Sequence, residues 1–122
     1  MIARRTLLLF ALLAACATSS PHQPSHGGAS AVTAEDEDML DAMKEAIGVQ
    51  GRQLYAAQAT AAPDCARVCH LVGNICALAE KICAIAARYP ASDPVAAECL
   101  DARAGCRQAQ ESSSACACRQ TL

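Results

Sequence analysis

The chemistry this chain can do is concentrated in its cysteines, nine among 122 residues. Thiols at such density serve as disulfide crosslinks, as soft metal ligands or as redox catalysts, and their spacing discriminates between these uses. Eight of them lie from Cys65 to Cys118 and read C-x3-C-x6-C-x6-C, a short break, C-x6-C, and finally Cys116 and Cys118. A seven-residue step is two helical turns, so Cys69, Cys76 and Cys83 line one face of a helix. Cys99 and Cys106 line one face of the next. Folding the chain at Ala91 sets Cys83 opposite Cys99 and Cys76 opposite Cys106, because each pair is equidistant from that residue. The pattern predicts two antiparallel helices joined by a ladder of disulfides.

Geometry permits the bonds. Helices lined by Ala and Cys approach to about 8 Å, which leaves facing Cα atoms about 4–5 Å apart, and offset positions within disulfide range. If residues 115–119 are extended, Cys116 and Cys118 point the same way, about 6.6 Å apart. Cys65 and Cys69, one turn apart on their helix, offer a similar spacing. Continuing the antiparallel sense pairs Cys69 with Cys116 and Cys65 with Cys118. Eight cysteines allow 105 connectivities, so the assignment rests on helical pattern rather than on counting.

The rival chemistries have less behind them. Cys65-x3-Cys69 places two thiolates on one helical face, and rows of cysteine along a helical bundle resemble copper-storage proteins. That resemblance implies Cu(I) binding or storage, the alternative function, since soft thiolates select Cu(I). No C-x2-C knuckle with a matching second pair points to structural zinc. His70 follows Cys69 directly, but adjacent helix positions diverge by about 100°, so it reads as a surface histidine. An enzyme has no visible machinery here: no C-x-x-C, nucleophile elbow, glycine-rich phosphate loop or paired carboxylates. With no basic patch and no aromatic platform, nucleic acid is not an expected partner. No catalytic residue, cofactor or small-molecule substrate is assigned.

These cysteines need helices to hold them, and the remaining residues supply the pattern. Residues 33–122 form the predicted Cys-rich helical domain, all-α and built as a small three-helix bundle. A first helix over residues 34–60 opens on a capping-box pattern, Thr33 with Asp36. The acidic run Glu35, Asp36, Glu37 and Asp38 reads as a solvated first turn favoured by the helix dipole. Leu40, Met43, Ile47 and Leu54 form its apolar stripe, while Gly48 and Gly51 suggest a kink or a close helix contact. Pro63 and Asp64 introduce the second helix, in which Val68, Ile75 and Ile82 form one apolar stripe and Leu71, Leu78 and Ile85 another. Arg67, Asn74, Lys81 and Arg88 make its wet stripe. So wide an apolar surface calls for cover on two sides. The break at residues 89–92, then Asp93 as cap and Pro94 in the first turn, introduces a third helix to about Gln110.

The core available to this bundle is thin. Aromatics make up 2% of the chain; Phe10 lies near the N-terminus, leaving Tyr55 and Tyr89. Alanine carries much of the apolar content and buries little area, so crosslinks are the expected source of added stability.

Residues 1–15 read as a signal peptide, with Arg4 and Arg5 ahead of an apolar run at residues 6–13 too short for a permanent span. Leu13-Ala14-Ala15-Cys16 resembles the lipobox of bacterial lipoproteins. The resemblance implies cleavage before Cys16, lipid on its sulfur, a further acyl chain on the new amine and export to the cell envelope. Ala17 rather than Asp at the next position implies the outer membrane, facing the periplasm. Removing Cys16 from the count leaves an even eight. Removing Arg4 and Arg5 leaves eight basic against twelve acidic residues. Residues 16–32 then form the lipidated Cys and a disordered tether rich in Ser, Pro, Gly and Ala, spanning about 20–25 Å. His22 and His26 on it are not expected to hold a metal.

The paired C-x6-C segments resemble disulfide-stapled hairpins of the coiled-coil-helix-coiled-coil-helix type, which use C-x9-C, so the likeness is one of architecture. The whole resembles Cys-rich helical bacterial lipoproteins. The expected function is a membrane-anchored envelope lipoprotein with a structural or protein-interaction role, its partner an envelope protein and its cysteines staples.

Overall fold

The structure, a computed structural model, describes residues 31–118. The expected signal peptide, the lipid expected on Cys16, His22, His26 and residues 17–30 of the expected tether lie outside the described residues. Three helices follow one another, α1 (Ala34–Gln58), α2 (Cys65–Ala86) and α3 (Asp93–Ser112), and a 3₁₀ turn spans Ser114–Cys116. Among the described residues there is no strand, and the three helices pack as an all-α bundle with α2 in the middle.

Local sequence sets each start. Thr33 Oγ1 accepts from the Asp36 backbone N–H at 3.2 Å, and Asp64 Oδ1 accepts from Arg67 N–H at 3.2 Å, each satisfying a donor that the first turn leaves free. At α3 the cap is Ser92 rather than Asp93, with Asp93 and Pro94 inside the first turn.

Helix α2 supplies half of the buried apolar residues. Val68 and Ile82 are wholly enclosed, and Leu71, Val72, Ile75, Ala79 and Ile85 are buried around them. By length and composition α2 could cross a membrane, but its apolar faces are taken up within the bundle. Leu40 and Met43 of α1 and Val95 and Ala102 of α3 complete one cluster with Ala79, Ile82, Ile85 and Tyr89. Leu54 and Ala109 complete the other with Val68, Leu71, Val72 and Ile75. Truncating Ile82 to Ala should cost about 2–5 kcal/mol, the range for large-to-small changes in a packed core. Chemical denaturation of the oxidised protein would check it.

A polar latch clamps the start of α1 to the turn that follows α2. The acidic run is not uniformly solvated: Glu35, Glu37 and Asp38 are exposed, whereas Asp36 is buried. Its carboxylate accepts from the Tyr89 hydroxyl and from Arg88 Nη2, the latter at 2.7 Å. The Thr33 backbone N–H donates to the Tyr89 oxygen at 3.5 Å. Half of the capping box is therefore redirected, since the carboxylate that would accept from the Thr33 backbone N–H accepts instead from the turn that follows α2. The Tyr89 hydrogen bond is the main reason the Asp36 carboxyl lies below its ordinary value; burial opposes it, and the Arg88 charge adds to the lowering. A depressed folded value stabilises the fold above the unfolded carboxyl range, near 3.9, and that stability is lost as pH falls through the lower folded value. Asp36→Asn should therefore lower the melting temperature clearly at pH 7 and progressively less toward pH 3. A deficit independent of pH would contradict this account.

Candidate functional site

The sulfurs converge on the face where α3 meets α2. Cys76 is joined to Cys106 and Cys83 to Cys99, with Cα–Cα 4.7 Å in both. All four are half-buried, between the apolar clusters and solvent. The bridges stand seven residues apart, about 10.5 Å along the helix. Equal separations at both levels mean the two helices do not splay over that length.

The other four cysteines pair differently from the expectation of Cys69 with Cys116 and Cys65 with Cys118. Cys65 is bonded to Cys116 and Cys69 to Cys118, with Cα–Cα 5.1 and 5.2 Å. The reason lies in the backbone after α3. Residues 115–119 were expected to be extended; instead Ser114–Cys116 form a 3₁₀ turn and Ala117 takes φ 48°, ψ 46°. A left-handed residue there reverses the chain, so that it reaches the first turn of α2 at Cys116 and heads back up the helix to Cys118. The mirror register that sets Cys76 against Cys106 would place Ser113 opposite Cys69. Ser113 is buried, donates to the Ala109 carbonyl at 2.6 Å and accepts from Gln58 Nε2 at 3.0 Å. A conformation that alanine adopts rarely had no signal in the sequence.

The remaining candidates do not gather into a site. His70 is exposed beside Asn74, with His70 Nε2 and Asn74 Nδ2 3.2 Å apart. Among the described residues no group of three or more His, Cys, Asp or Glu is arranged to hold a metal ion. A furrow between α1 and α2 is lined by charges of both signs, Glu45 and Arg67, together with His70.

A second recess lies along the seam between α1 and α3. The two helices run parallel there, and their cross-contacts keep one register. Lys44 Nζ meets Glu98 Oε1 at 2.9 Å, and Gln58 Nε2 donates to the Ser112 carbonyl at 3.0 Å, each across 54 residues. Midway, the same register sets Gly51 opposite Gly105. Neither glycine makes a close contact; a Cβ at either would meet nothing within 4 Å. Of the kink or close helix contact expected at Gly48 and Gly51, the contact is absent at Gly51, where an opening of about 320 Å³ lies instead. Ile47, Leu54, Ile75 and Ala109 line it with the two glycines, and no charged residue does. Tyr55, at its rim, is 77% exposed. Lys44 is held protonated above its ordinary range chiefly by the Glu98 hydrogen bond.

The fold and its bridges define a small, disulfide-stapled three-helix protein. No known family model, curated protein or solved structure matches the chain.

Peptide mapping without reductant, with elastase cleaving after Ala117 to part Cys116 from Cys118, should yield linked peptides for Cys65–Cys116 and Cys69–Cys118, and none for the crossed pairing. Replacing Cys76 and Cys106 together by Ala should cost up to about 3 kcal/mol, the chain-entropy value for a loop of about 15 residues, because the nested Cys83–Cys99 bridge remains. Urea titration would read it.

Proposed function

We propose that this chain is a lipid-anchored protein of the cell envelope, whose stapled helical domain serves as a rigid structural or interaction module. The observation that carries the module reading is that all eight cysteines of the domain are used in four bridges. Disulfides of this density belong to oxidising compartments and to small domains with thin cores. The anchor rests on Leu13-Ala14-Ala15-Cys16 behind a basic, then apolar, leader. More than one acyl chain gives stable attachment, at about 0.8 kcal/mol per buried CH₂. Placement in the outer membrane rests on Ala17 following that cysteine.

The alternative, a Cu(I) module, needs thiolates, and sulfurs already bonded in pairs supply none. The two readings separate on one measurement. Thiol titration of denatured, unreduced protein should find close to none of the eight domain cysteines free; close to eight would favour metal binding or storage. Mass measurement of the full chain made in a bacterial host should show an N-terminus at Cys16 carrying acyl groups. An unmodified Cys16 would remove the anchor from the proposal while leaving the stapled domain.

A further inference from the structure

We infer that the seam between α1 and α3 is an acyl-chain groove, and that its occupant is one of the chain's own acyl groups carried on Cys16; this rests on the lipid-anchor reading above. The groove suits an aliphatic chain in shape and chemistry. Its volume of about 320 Å³ holds roughly ten methylene-sized groups, taking the liquid volume of a water, about 30 Å³, as the measure. Its floor is aliphatic, from Ile47, Leu54, Ile75 and Ala109. Its polar lining is limited to neutral groups, the Gln58 and Gln108 amides and the hydroxyls of Tyr55 and Ser112. A charged peptide or a phosphate would find no counter-charge there, whereas an alkyl chain needs none.

The two glycines make the opening. Both line the groove, and at each a Cβ would meet nothing within 4 Å, which leaves space that a larger side chain would fill. Glycine within a helix is disfavoured relative to Ala, and neither is needed here for a turn or a tight helix crossing. Tyr55 stands over the opening with an apolar ring and a polar tip, suited to a boundary between alkyl chain and water.

The length of chain ahead of the helices selects the occupant. Residues 17–30 separate Cys16 from the first described residue, Ala31. From the start of α1 to Gly51 is 17 residues of helix, about 26 Å. A segment of that length spans about 20–25 Å as a coil and at most about 50 Å extended. An acyl chain on Cys16 therefore reaches the groove from the same molecule. Lying there, it would be withdrawn from the bilayer, so occupancy would weaken attachment to the membrane.

Photocrosslinking tests this directly. The full chain is produced in bacteria fed a palmitate analogue bearing a diazirine, purified, checked by intact mass for acylation at Cys16, and irradiated. Intramolecular adducts should map to residues 47–58 of α1 and 105–112 of α3. They should fall at least fivefold in the Gly51→Leu, Gly105→Leu double variant, which should stay folded because both positions open onto free space. Acylated chains whose adducts are confined to phospholipid, or whose adducts persist in the double variant, would overturn the groove while sparing the anchor. Groove adducts on chains that carry no acyl group at Cys16 would show unesterified fatty acid as the occupant and overturn the covalent source. Absence of acylation at Cys16 together with an unlabelled groove would overturn both readings.

Discussion

The register between α2 and α3 is the constraint from which the other features follow. Two bridges seven residues apart, both at a Cα–Cα distance of 4.7 Å, oblige the helices to run side by side without diverging. At that separation little fits between them beyond the sulfurs, and α3 accordingly buries only Val95, Ala102 and Ala109. Area burial at about 25 cal/mol per Å² contributes little at such a seam. Covalent bonds therefore contribute there what packing cannot, chiefly by restricting the unfolded chain.

That arrangement decides what α1 must do. With one side of α2 committed to α3, the large aliphatic residues on its other side need cover, and Leu40, Met43 and Leu54 provide it. No disulfide holds α1. It is positioned by apolar contact along its length and by polar ties at its ends, Asp36 to Arg88 and Tyr89 at one and Gln58 to Ser112 and Ser113 at the other. The Asp36 latch is the stronger of the two in kind, since it joins a buried carboxylate to a guanidinium and a phenol. The Lys44–Glu98 pair, with its lysine about half exposed, is a surface bridge and adds little.

How much of this was legible in the residues depends on whether a feature repeats. The heptad steps of Cys69, Cys76 and Cys83 and the apolar stripes beside them recur at helical period, so the hairpin, its mirror point and the three-helix architecture could be read directly. Features that occur once could not. A single left-handed alanine at position 117 exchanges the partners of Cys65 and Cys69, although all four cysteines are plain in the sequence. Asp36 looked like one of four equivalent acids because its distinguishing partner, Tyr89, lies 53 residues away. Gly51 carried a hint of something unusual in α1, but its meaning depends on Gly105, which no local pattern connects to it.

The glycine pair also shows what the bridges do beyond adding stability. An opening between two helices ordinarily closes by a small sideways shift, because protein interiors favour dense packing. Here α3 cannot move toward α1 without stretching bonds to α2, and α1 cannot move toward α3 without withdrawing Leu40 and Leu54 from the clusters they complete. The distance across the α1–α3 seam is thus set by the width of α2 and not by the residues facing each other at the seam. Those residues are free to be as small as glycine. A chain with weak apolar packing would normally be unable to keep a cavity open; crosslinking one wall to the central helix removes that difficulty, and places the rigidity beside the surface where a ligand would lie.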